Sequence, residues 1–200
     1  MLRLGFLASG SGTNMQAILD ASRSGRLSQV EPVVVISNNS SSGALQRSSA
    51  AGLPTYHLSS ATHPEPRALD EAIATALTDH DVSVVALAGY MKMIGPVTLA
   101  RFRGRILNIH PALLPKYGGR GFYGRAVHEA VLAAGETESG VTVHVVDEVY
   151  DHGPILAQAR VPVLTGDTPN SLAARVLEQE HTLYTETLQR IAMGEIFLGS

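Results

Sequence analysis

The stretch LRLGFLASGSGTN, residues 2–14, decides the fold that this sequence predicts. Residues 2–8 form an apolar run of strand length, and the small residues Ser9–Thr13 follow it before a helix that we predict to begin near Asn14. Backbone N–H groups in such a turn can approach an anion closely, and the positive end of the helix dipole favours it there. The stretch therefore predicts a first β-strand, a phosphate-binding turn and a first helix.

Two other nucleotide-binding motifs fit this turn poorly. The third glycine of a dinucleotide fingerprint would fall at Met15, and Ser37-Asn38 stands where an acidic ribose ligand would be expected. A Walker-type loop would need a lysine that the turn lacks. A Gly-rich turn without any ligand stays open as the structural alternative.

Strands and helices alternate through the first hundred residues. The predicted strands are Leu2–Ala8, Pro32–Ile36, Pro54–Leu58 and Val82–Ala88, and the later predicted helices are Gly43–Ala51 and Arg67–Asp79. Pro32 is placed at the first position of its strand because it cannot donate to a ladder. The almost continuous apolar run 82–88 is typical of a central parallel strand covered on both faces. The alternation predicts a doubly wound, mostly parallel, Rossmann-like α/β sheet with right-handed crossovers.

The C-terminal part is predicted to be antiparallel. The last strands, 140–146 and 153–161, follow one another too closely for a parallel crossover, so they should pair with each other as antiparallel neighbours. Helices are predicted at 125–134 and 169–193, the second with Thr168 as its N-cap. We expect residues 1–200 to form a single catalytic domain with this mixed sheet.

Composition limits the classes of partner. The chain has 44% hydrophobic and 16% charged residues, which is globular, and its net charge of -3 gives no footprint for nucleic acid or an acidic membrane. It contains no cysteine, so disulfides, thiolate metal sites and a cysteine nucleophile are excluded, which fits a reducing cytoplasm. The eight histidines lack metal-ligand spacing, so we expect no metal. No apolar stretch is long enough to span a bilayer.

Asn108 and His110 are the main catalytic candidates in the pattern. They lie two residues apart in a predicted strand that Pro111 ends, so their side chains should share a face at the carboxyl end of that strand. A carboxamide can donate to a developing oxyanion, and an imidazole can transfer a proton. Asp151, in the loop between the last two strands, would complete the group. A structural histidine and a turn-capping aspartate are the alternatives.

Two loops contain further candidate ligand-binding residues, although their sequence patterns are less specific. Residues 89–96 leave the strand 82–88 at the same edge of the sheet, and their apolar side chains and free backbone groups suit a flat heteroaromatic ligand. Met91 and Met93 could instead fill the core. Residues 119–124 match the dinucleotide fingerprint literally but lie well beyond a strand end, so we interpret their glycines as those of a mobile loop.

Taken together, the motifs resemble those of the phosphoribosylglycinamide formyltransferase family. The resemblance is carried by Ser9–Asn14, Asn108–Pro111 with Leu113–Lys116, and Asp147-Glu148 with Asp151–Ile155. It covers essentially the whole chain. The Asn-x-His-Pro motif alone would indicate only the wider formyltransferase superfamily, which uses 10-formyltetrahydrofolate.

The resemblance implies a reaction in de novo purine synthesis. The amine of glycinamide ribonucleotide would attack the formyl carbon of 10-formyltetrahydrofolate directly, without a covalent enzyme intermediate. Asn108 would stabilise the oxyanion, and His110 would assist as an imidazolium and take part in proton transfer. Asp151 would raise the pKa of His110, which for a free histidine is about 6.5, and help to move the proton from the amine.

The resemblance also implies binding residues. The ribonucleotide phosphate would lie on Gly12, Thr13 and Asn14, and Glu180 would bind the reactive amine, although a solvated charge is the default for a residue in the middle of a helix. The implied folate contacts are Arg67, Met91, Lys92, Met93, Ile94, Asn108, Asp147, Glu148, Val149, Tyr150 and Asp151. His144 is expected to be structural. The segment from Lys116 to Gly140 is longer than in many family members, so no role is transferred to it.

Two other functions stay open at this point. A formyltetrahydrofolate deformylase would use a similar Asn/His/Asp group with water in place of the amine, but such enzymes usually carry an N-terminal regulatory domain, whereas the first strand here begins at residue 2. A non-catalytic folate-binding or nucleotide-binding module is the other alternative. We expect a cytoplasmic monomer or weak homodimer with small-molecule substrates and neither a nucleic-acid nor a membrane partner.

Overall fold

The computed structural model describes residues 1–199, and Ser200, the last residue of the predicted domain, lies outside the described residues. The strands are β1 (Leu2–Ala8), β2 (Val30–Ser37), β3 (Thr55–His57), β4 (Val84–Leu87), β5 (Ile106–His110), β6 (Glu138–Val145) and β7 (Ile155–Pro162). Within residues 1–199 they form one seven-stranded sheet in the order β3-β2-β1-β4-β5-β6-β7. The first five pair in parallel, and β6 and β7 are antiparallel. The predicted mixed sheet is confirmed.

Helices cover both faces of the sheet. They are α1 (Thr13–Arg23), α2 (Gly43–Ala50), α3 (Pro66–Asp79), α4 (Pro96–Arg101), α5 (Arg125–Ala133) and α6 (Pro169–Ala192). Successive side chains of a strand point to opposite faces. Leu4, Phe6 and Ala8 of β1 accordingly pack with buried residues of α1 and α6, whereas Leu7 packs with those of α3. None of the helices described within residues 1–199 has the length and apolar character needed to cross a membrane.

Strand β2 differs from its prediction. It begins at Val30, so Pro32 is its third residue and not its first. The ladder with β1 shifts register between Leu4 and Gly5, directly beside Pro32 and Val33. A proline has no N–H to donate, and an irregular point in the ladder tolerates that loss inside a sheet. The prediction of the strand start was wrong because this register shift is not visible in the sequence.

Helix α4 was not predicted, and it determines where the loop after β4 ends. It begins at Pro96 with Gly95 before it. Asp70 of α3 accepts hydrogen bonds from the N–H groups of Val97 and Thr98 and from the Thr98 hydroxyl. A Cβ on Gly95 would lie 2.2 Å from Asp70 Cγ, so glycine is required there. This buried carboxylate fixes the C-terminal end of the loop 89–95.

The remaining elements agree with their predictions to within one or two residues at either end. Strand β5 ends at His110, directly before Pro111. Helix α6 begins at Pro169, and the Thr168 side chain accepts a hydrogen bond from Ser171 N–H, as an N-cap does. These elements bring the candidate residues to one edge of the sheet.

Candidate active site

A cavity of about 460 Å³ opens at the carboxyl ends of β4 and β5. Strand order reverses beside β1, and in open α/β sheets ligands bind at that place. The volume is in the range of ligand sites, roughly 300–1,000 Å³. The sequence-predicted residues that line the cavity are Asn14, Met91, Lys92, Met93, Ile94, Asn108, His110, Asp147, Val149, Tyr150, Asp151 and Glu180.

His110 lies at the end of β5 with only 3% of its surface exposed. Its Nε2 is 2.7 Å from the carbonyl oxygen of Tyr117. A carbonyl can only accept, so Nε2 carries a hydrogen and donates it. The other ring nitrogen, Nδ1, lies 3.5 Å from Asp151 Oδ2. Proton exchange by this imidazole therefore takes place at Nδ1, on the side of Asp151.

Asp151 lies between the other two catalytic candidates, His110 and Asn108. Its Oδ2 accepts a hydrogen bond from Gly119 N–H at 2.9 Å, and its Oδ1 lies 3.4 Å from Asn108 Nδ2. Its φ of 54° is in the left-handed region, where aspartate is one of the better-tolerated residues. Burial alone would raise the pKa of Asp151, but His144, His110 and the Gly119 N–H together lower it. Asp151 is thus a carboxylate at neutral pH.

The pKa of His110 shifts in the direction opposite to the prediction. Burial of the ring lowers it, and this effect outweighs the Asp151 carboxylate and the Tyr117 carbonyl, which raise it. The nearby His144 lowers it further. The expectation of a raised pKa was wrong because the sequence shows the charge partner but not the depth of burial.

His144 has a more direct place in the site than predicted. It lies opposite Asn108 in the antiparallel pairing of β5 with β6, and the Asn108 amide nitrogen is 3.1 Å from its Nε2. Its Nδ1 faces the carbonyl of Val145 at 2.9 Å and so carries a hydrogen, which leaves Nε2 to accept from Asn108 when the ring is neutral. When the ring is protonated, Nε2 instead faces Asp151 Oδ1 at 3.5 Å as a donor. His144 therefore fixes the orientation of the Asn108 amide. The period-2 pattern of β6 could have suggested this contact, but only with the register known.

Glu180 is brought into the cavity from α6. Its Oε2 accepts a hydrogen bond of 2.6 Å from Asn14 Nδ2, at the start of α1. Burial raises the pKa of Glu180 to about 7, against the hydrogen bond from Asn14, which lowers it. One turn further along α6, the Tyr184 hydroxyl donates towards the carbonyls of Leu87 and Leu107 in β4 and β5. Tyr184 therefore anchors α6 beneath the site and sets the position of Glu180.

The predicted phosphate turn has the geometry of an anion site, but only Asn14 of its three residues lines the cavity itself. Gly12 precedes α1 with φ 73° and has no side chain that could cap the first turn, so first-turn N–H groups can bind an anion. A Cβ on Gly12 would lie 2.7 Å from Ala44 Cα. The oxygen Oδ1 of Asn14 is buried and finds no hydrogen-bond partner among residues 1–199.

The mouth of the cavity is apolar. Met91 and Met93 are 55% and 56% exposed, so they do not fill the core. Val149, Tyr150 and Tyr123, from two other loops that line the cavity, are exposed as well. The loop 119–124 lines the cavity as well, and sequence reasoning had assigned it no role. Flat apolar ligands suit such a mouth.

Two predicted folate contacts are not brought to this cavity. Arg67 lies beside a second, adjoining cavity, where its exposed guanidinium pairs with Glu71 at 2.8 Å. Glu148 is exposed and does not line the first cavity. The two cavities share Tyr90, Lys92 and Met93, so the Arg67 cavity continues from the mouth of the first.

The mixed sheet, the position of the cavity and the Asn108/His110/Asp151 group agree with the formyltransferase class that the sequence motifs indicate. A family model described as formyl transferase matches residues 2–188. The chain belongs to this formyl transferase family. Within residues 1–199 no group of three or more His, Cys, Asp or Glu side chains is arranged to bind a metal ion.

Relatives within the family are named more narrowly. The chain is similar to the chloroplastic phosphoribosylglycinamide formyltransferase of Vigna unguiculata, at 44% identity over 97% of this chain and 62% of that protein. It is 36% identical to the phosphoribosylglycinamide formyltransferase of Escherichia coli strain K12, over 95% of this chain and 87% of that protein. It thus spans less than two thirds of the Vigna unguiculata protein and most of the Escherichia coli one.

Solved structures agree with this assignment. The structure of glycinamide ribonucleotide transformylase 1 from Symbiobacterium toebii superposes with a TM-score of 0.92 at 42% identity, covering 100% of this chain and 92% of that one. A formyltetrahydrofolate deformylase from Pseudomonas syringae has a TM-score of 0.86 at 22% identity, over 64% of that chain, which shows a shared fold alone.

Proposed function

We propose that this protein transfers the formyl group of 10-formyltetrahydrofolate to the amine of glycinamide ribonucleotide. The observation that carries the proposal is the meeting of two groups of residues in one cavity. Asn108, His110 and Asp151 can process a formyl group at one side, and Asn14 with Glu180 can bind an amine at the other. The products would be N-formylglycinamide ribonucleotide and tetrahydrofolate, as in de novo purine synthesis.

In the proposed reaction, the amine nitrogen forms a bond to the formyl carbon and the carbonyl electron pair moves to oxygen. The Asn108 amide, oriented by His144, donates to the oxyanion. The amine then loses a proton towards Asp151 or His110 Nδ1, which lie 3.5 Å apart. The oxygen electron pair reforms the carbonyl as the bond from carbon to N10 of the folate breaks, and N10 takes up a proton from the same pair. The amine loses one proton and N10 gains one, so a single proton-exchanging group is enough for both transfers.

Substrate binding follows from the same groups. The ribonucleotide phosphate would bind Gly12, Thr13 and Asn14, while the buried Asn14 Oδ1 and the Glu180 carboxylate would contact the glycinamide end. The folate ring would enter through the apolar mouth between the loops 91–94 and 147–151. Its anionic tail would continue towards Arg67 and Lys92 in the second cavity. A folate-binding role for Glu148 stays a prediction. The cytoplasmic location and the monomeric or weakly dimeric state stay predictions as well.

The test follows the absorbance of the folate when purified protein is mixed with 10-formyltetrahydrofolate, with and without glycinamide ribonucleotide. Conversion that depends on the ribonucleotide is the expected result. Formate release without it would contradict the proposal and indicate a deformylase. No conversion in either mixture would contradict it as well and indicate a binding module.

A further inference from the structure

We propose that Tyr117 and Glu136 are positioning residues, which hold the turn Tyr117–Gly119 so that it orients both His110 and Asp151. The proposal rests on the proposed function, because it assigns a purpose to the geometry of the catalytic pair. Neither Tyr117 nor Glu136 lines the cavity, and the sequence motifs assign no role to them.

The turn contacts both members of the pair through its backbone. The Tyr117 carbonyl accepts from His110 Nε2 at 2.7 Å, and two residues later the Gly119 N–H donates to Asp151 Oδ2 at 2.9 Å. A Cβ on Gly118, between them, would lie 2.4 Å from Leu114 Cδ2, which would have to move, and 3.3 Å from Asp151 Cβ. One short backbone segment therefore fixes the spacing of the imidazole and the carboxylate.

The conformation of the turn needs support from outside. Tyr117 has a φ of 55°, which is unusual for an aromatic residue and persists only where surrounding contacts determine it. Its hydroxyl donates to Glu136 Oε1 at 2.9 Å, and Lys116 Nζ pairs with the same oxygen at 2.8 Å. The ring also packs edge-on against Phe122, 6.1 Å between centroids. Glu136, just after α5, thus ties two adjacent residues of the segment to the body of the protein.

The consequence for His110 is a fixed tautomer. With Nε2 hydrogen-bonded to the Tyr117 carbonyl, the neutral ring keeps its hydrogen on Nε2, and Nδ1 alone exchanges a proton beside Asp151. A turn that moves away from Nε2 would allow the other tautomer. In that form Nδ1 cannot accept the proton of the attacking amine.

The test combines kinetics with 15N NMR of the full-length protein labelled at histidine, with the His110 signals assigned by their absence in His110→Asn. Tyr117→Phe keeps the ring and its contact with Phe122 but removes the hydrogen bond to Glu136. We expect kcat to fall about tenfold with KM values within about twofold, because positional error costs rate and not affinity. The 15N shifts of neutral His110 should change from a single Nε2–H tautomer to a mixture.

Glu136 gives a second variant, at a half-buried position just after α5. Glu136→Ala, which also releases Lys116, should cost at least as much as Tyr117→Phe, whereas Glu136→Gln should keep kcat within about threefold of wild type, since an amide oxygen still accepts from Tyr117. Tyr56→Phe and Glu138→Gln are the matched controls. They remove the Tyr56 contact with His80 at 3.0 Å and the exposed Glu138–Arg160 ion pair, and both should leave kcat and the His110 signals unchanged.

The two readouts separate this inference from the proposed function. An unchanged tautomer in both Tyr117→Phe and Glu136→Ala overturns the inference, whatever the activity. A tautomer mixture together with wild-type kcat overturns the assignment of these residues to catalysis. If wild type transfers no formyl group at all, the proposed function fails, while a tautomer change would still support the control of His110 by the turn.

Discussion

Asn14 Nδ2 and Glu180 Oε2 lie 2.6 Å apart, although 166 residues separate them in the chain. The contact joins the first turn of α1, where a phosphate is proposed to bind, to the middle of α6. Tyr184 fixes α6 against the carbonyls of β4 and β5, so the position of the carboxylate is determined by the sheet itself. This contact makes Glu180 part of the cavity and not of a solvated helix face.

The first prediction concerns Glu180 and pH-dependent stability. Its pKa rises from 4.5 to about 7 on folding, mainly through burial. Between these values the unfolded chain binds fewer protons at this site than the folded one, so stability falls as the pH rises through 7. Glu180→Gln removes this loss and should be more stable than wild type by roughly 3–3.5 kcal/mol at pH 8, since the pKa rises from 4.5 to about 7 and one pKa unit is worth about 1.4 kcal/mol.

Urea unfolding at pH 4.5 and pH 8 measures this difference, which should vanish at the lower pH. The exposed Glu186 on the same helix supplies the control, and Glu186→Gln should not show the pH-dependent gain. A Glu180→Gln protein with wild-type stability at pH 8 would show that the carboxyl is solvated.

The second prediction concerns the effect of Asp151 on His110. Burial lowers the pKa of His110, and Asp151 is the largest of the opposing effects. Asp151→Asn keeps the shape and tolerates the positive φ but removes the charge. The pKa of His110 should therefore fall further in this variant, and kcat should drop about a hundredfold or more, on the scale of general acid–base effects. His110→Ala should lose at least as much.

NMR titration of His110 and steady-state kinetics on the same samples check both parts. Asp167→Asn serves as a control, because its carboxylate pairs with Arg175 and neither residue lines the cavity. Near-normal turnover of Asp151→Asn would remove the carboxylate from the mechanism, and an unchanged His110 pKa would show that the two groups do not interact.

The third prediction concerns Asn108 as an oxyanion donor. Loss of one such donor typically costs about 2.7–4 kcal/mol of barrier, so Asn108→Ala should lower kcat by roughly 10²–10³ with little change in KM. The matched control is Asn170→Ala. Among residues 1–199, the one hydrogen bond of the Asn170 side chain comes from the surface guanidinium of Arg125. If Asn108→Ala instead raises KM at constant kcat, the amide binds the ground state and not the oxyanion.

Much of the fold follows from local patterns. The alternation of apolar runs and amphipathic helices predicted the parallel half, and the short link between β6 and β7 predicted their antiparallel pairing. The start of β2 and the whole of α4 were not predicted. The first depends on a register shift beside Pro32, and the second on a carboxylate, Asp70, that is distant in sequence.

The site was predictable to the extent that its residues occur in motifs. Asn108, His110 and Asp151 stand in such motifs and do meet. The orienting contacts of His144 and Tyr117 could not be predicted, because one depends on strand register and the other on a backbone carbonyl. The direction of the His110 pKa shift depends on burial, which a single sequence does not show.

The last prediction separates backbone strain from crowding in the phosphate turn. Gly12 and Gly25 both have positive φ, 73° and 76°, so alanine strains the backbone by about 1–2 kcal/mol at either position. A Cβ at Gly25 meets open space, whereas at Gly12 it would lie 2.7 Å from Ala44 Cα at the start of α2. Only Gly12→Ala should therefore displace the turn from α2 and from the first N–H groups of α1.

We expect both variants to lose similar stability from strain, with a further loss in Gly12→Ala. Affinity for glycinamide ribonucleotide, measured by calorimetry, should fall at least about tenfold in Gly12→Ala and stay near wild type in Gly25→Ala, because charge-assisted hydrogen bonds to an anion need the original position of the N–H groups. Equal affinities in the two variants would mean that the phosphate does not bind at this turn.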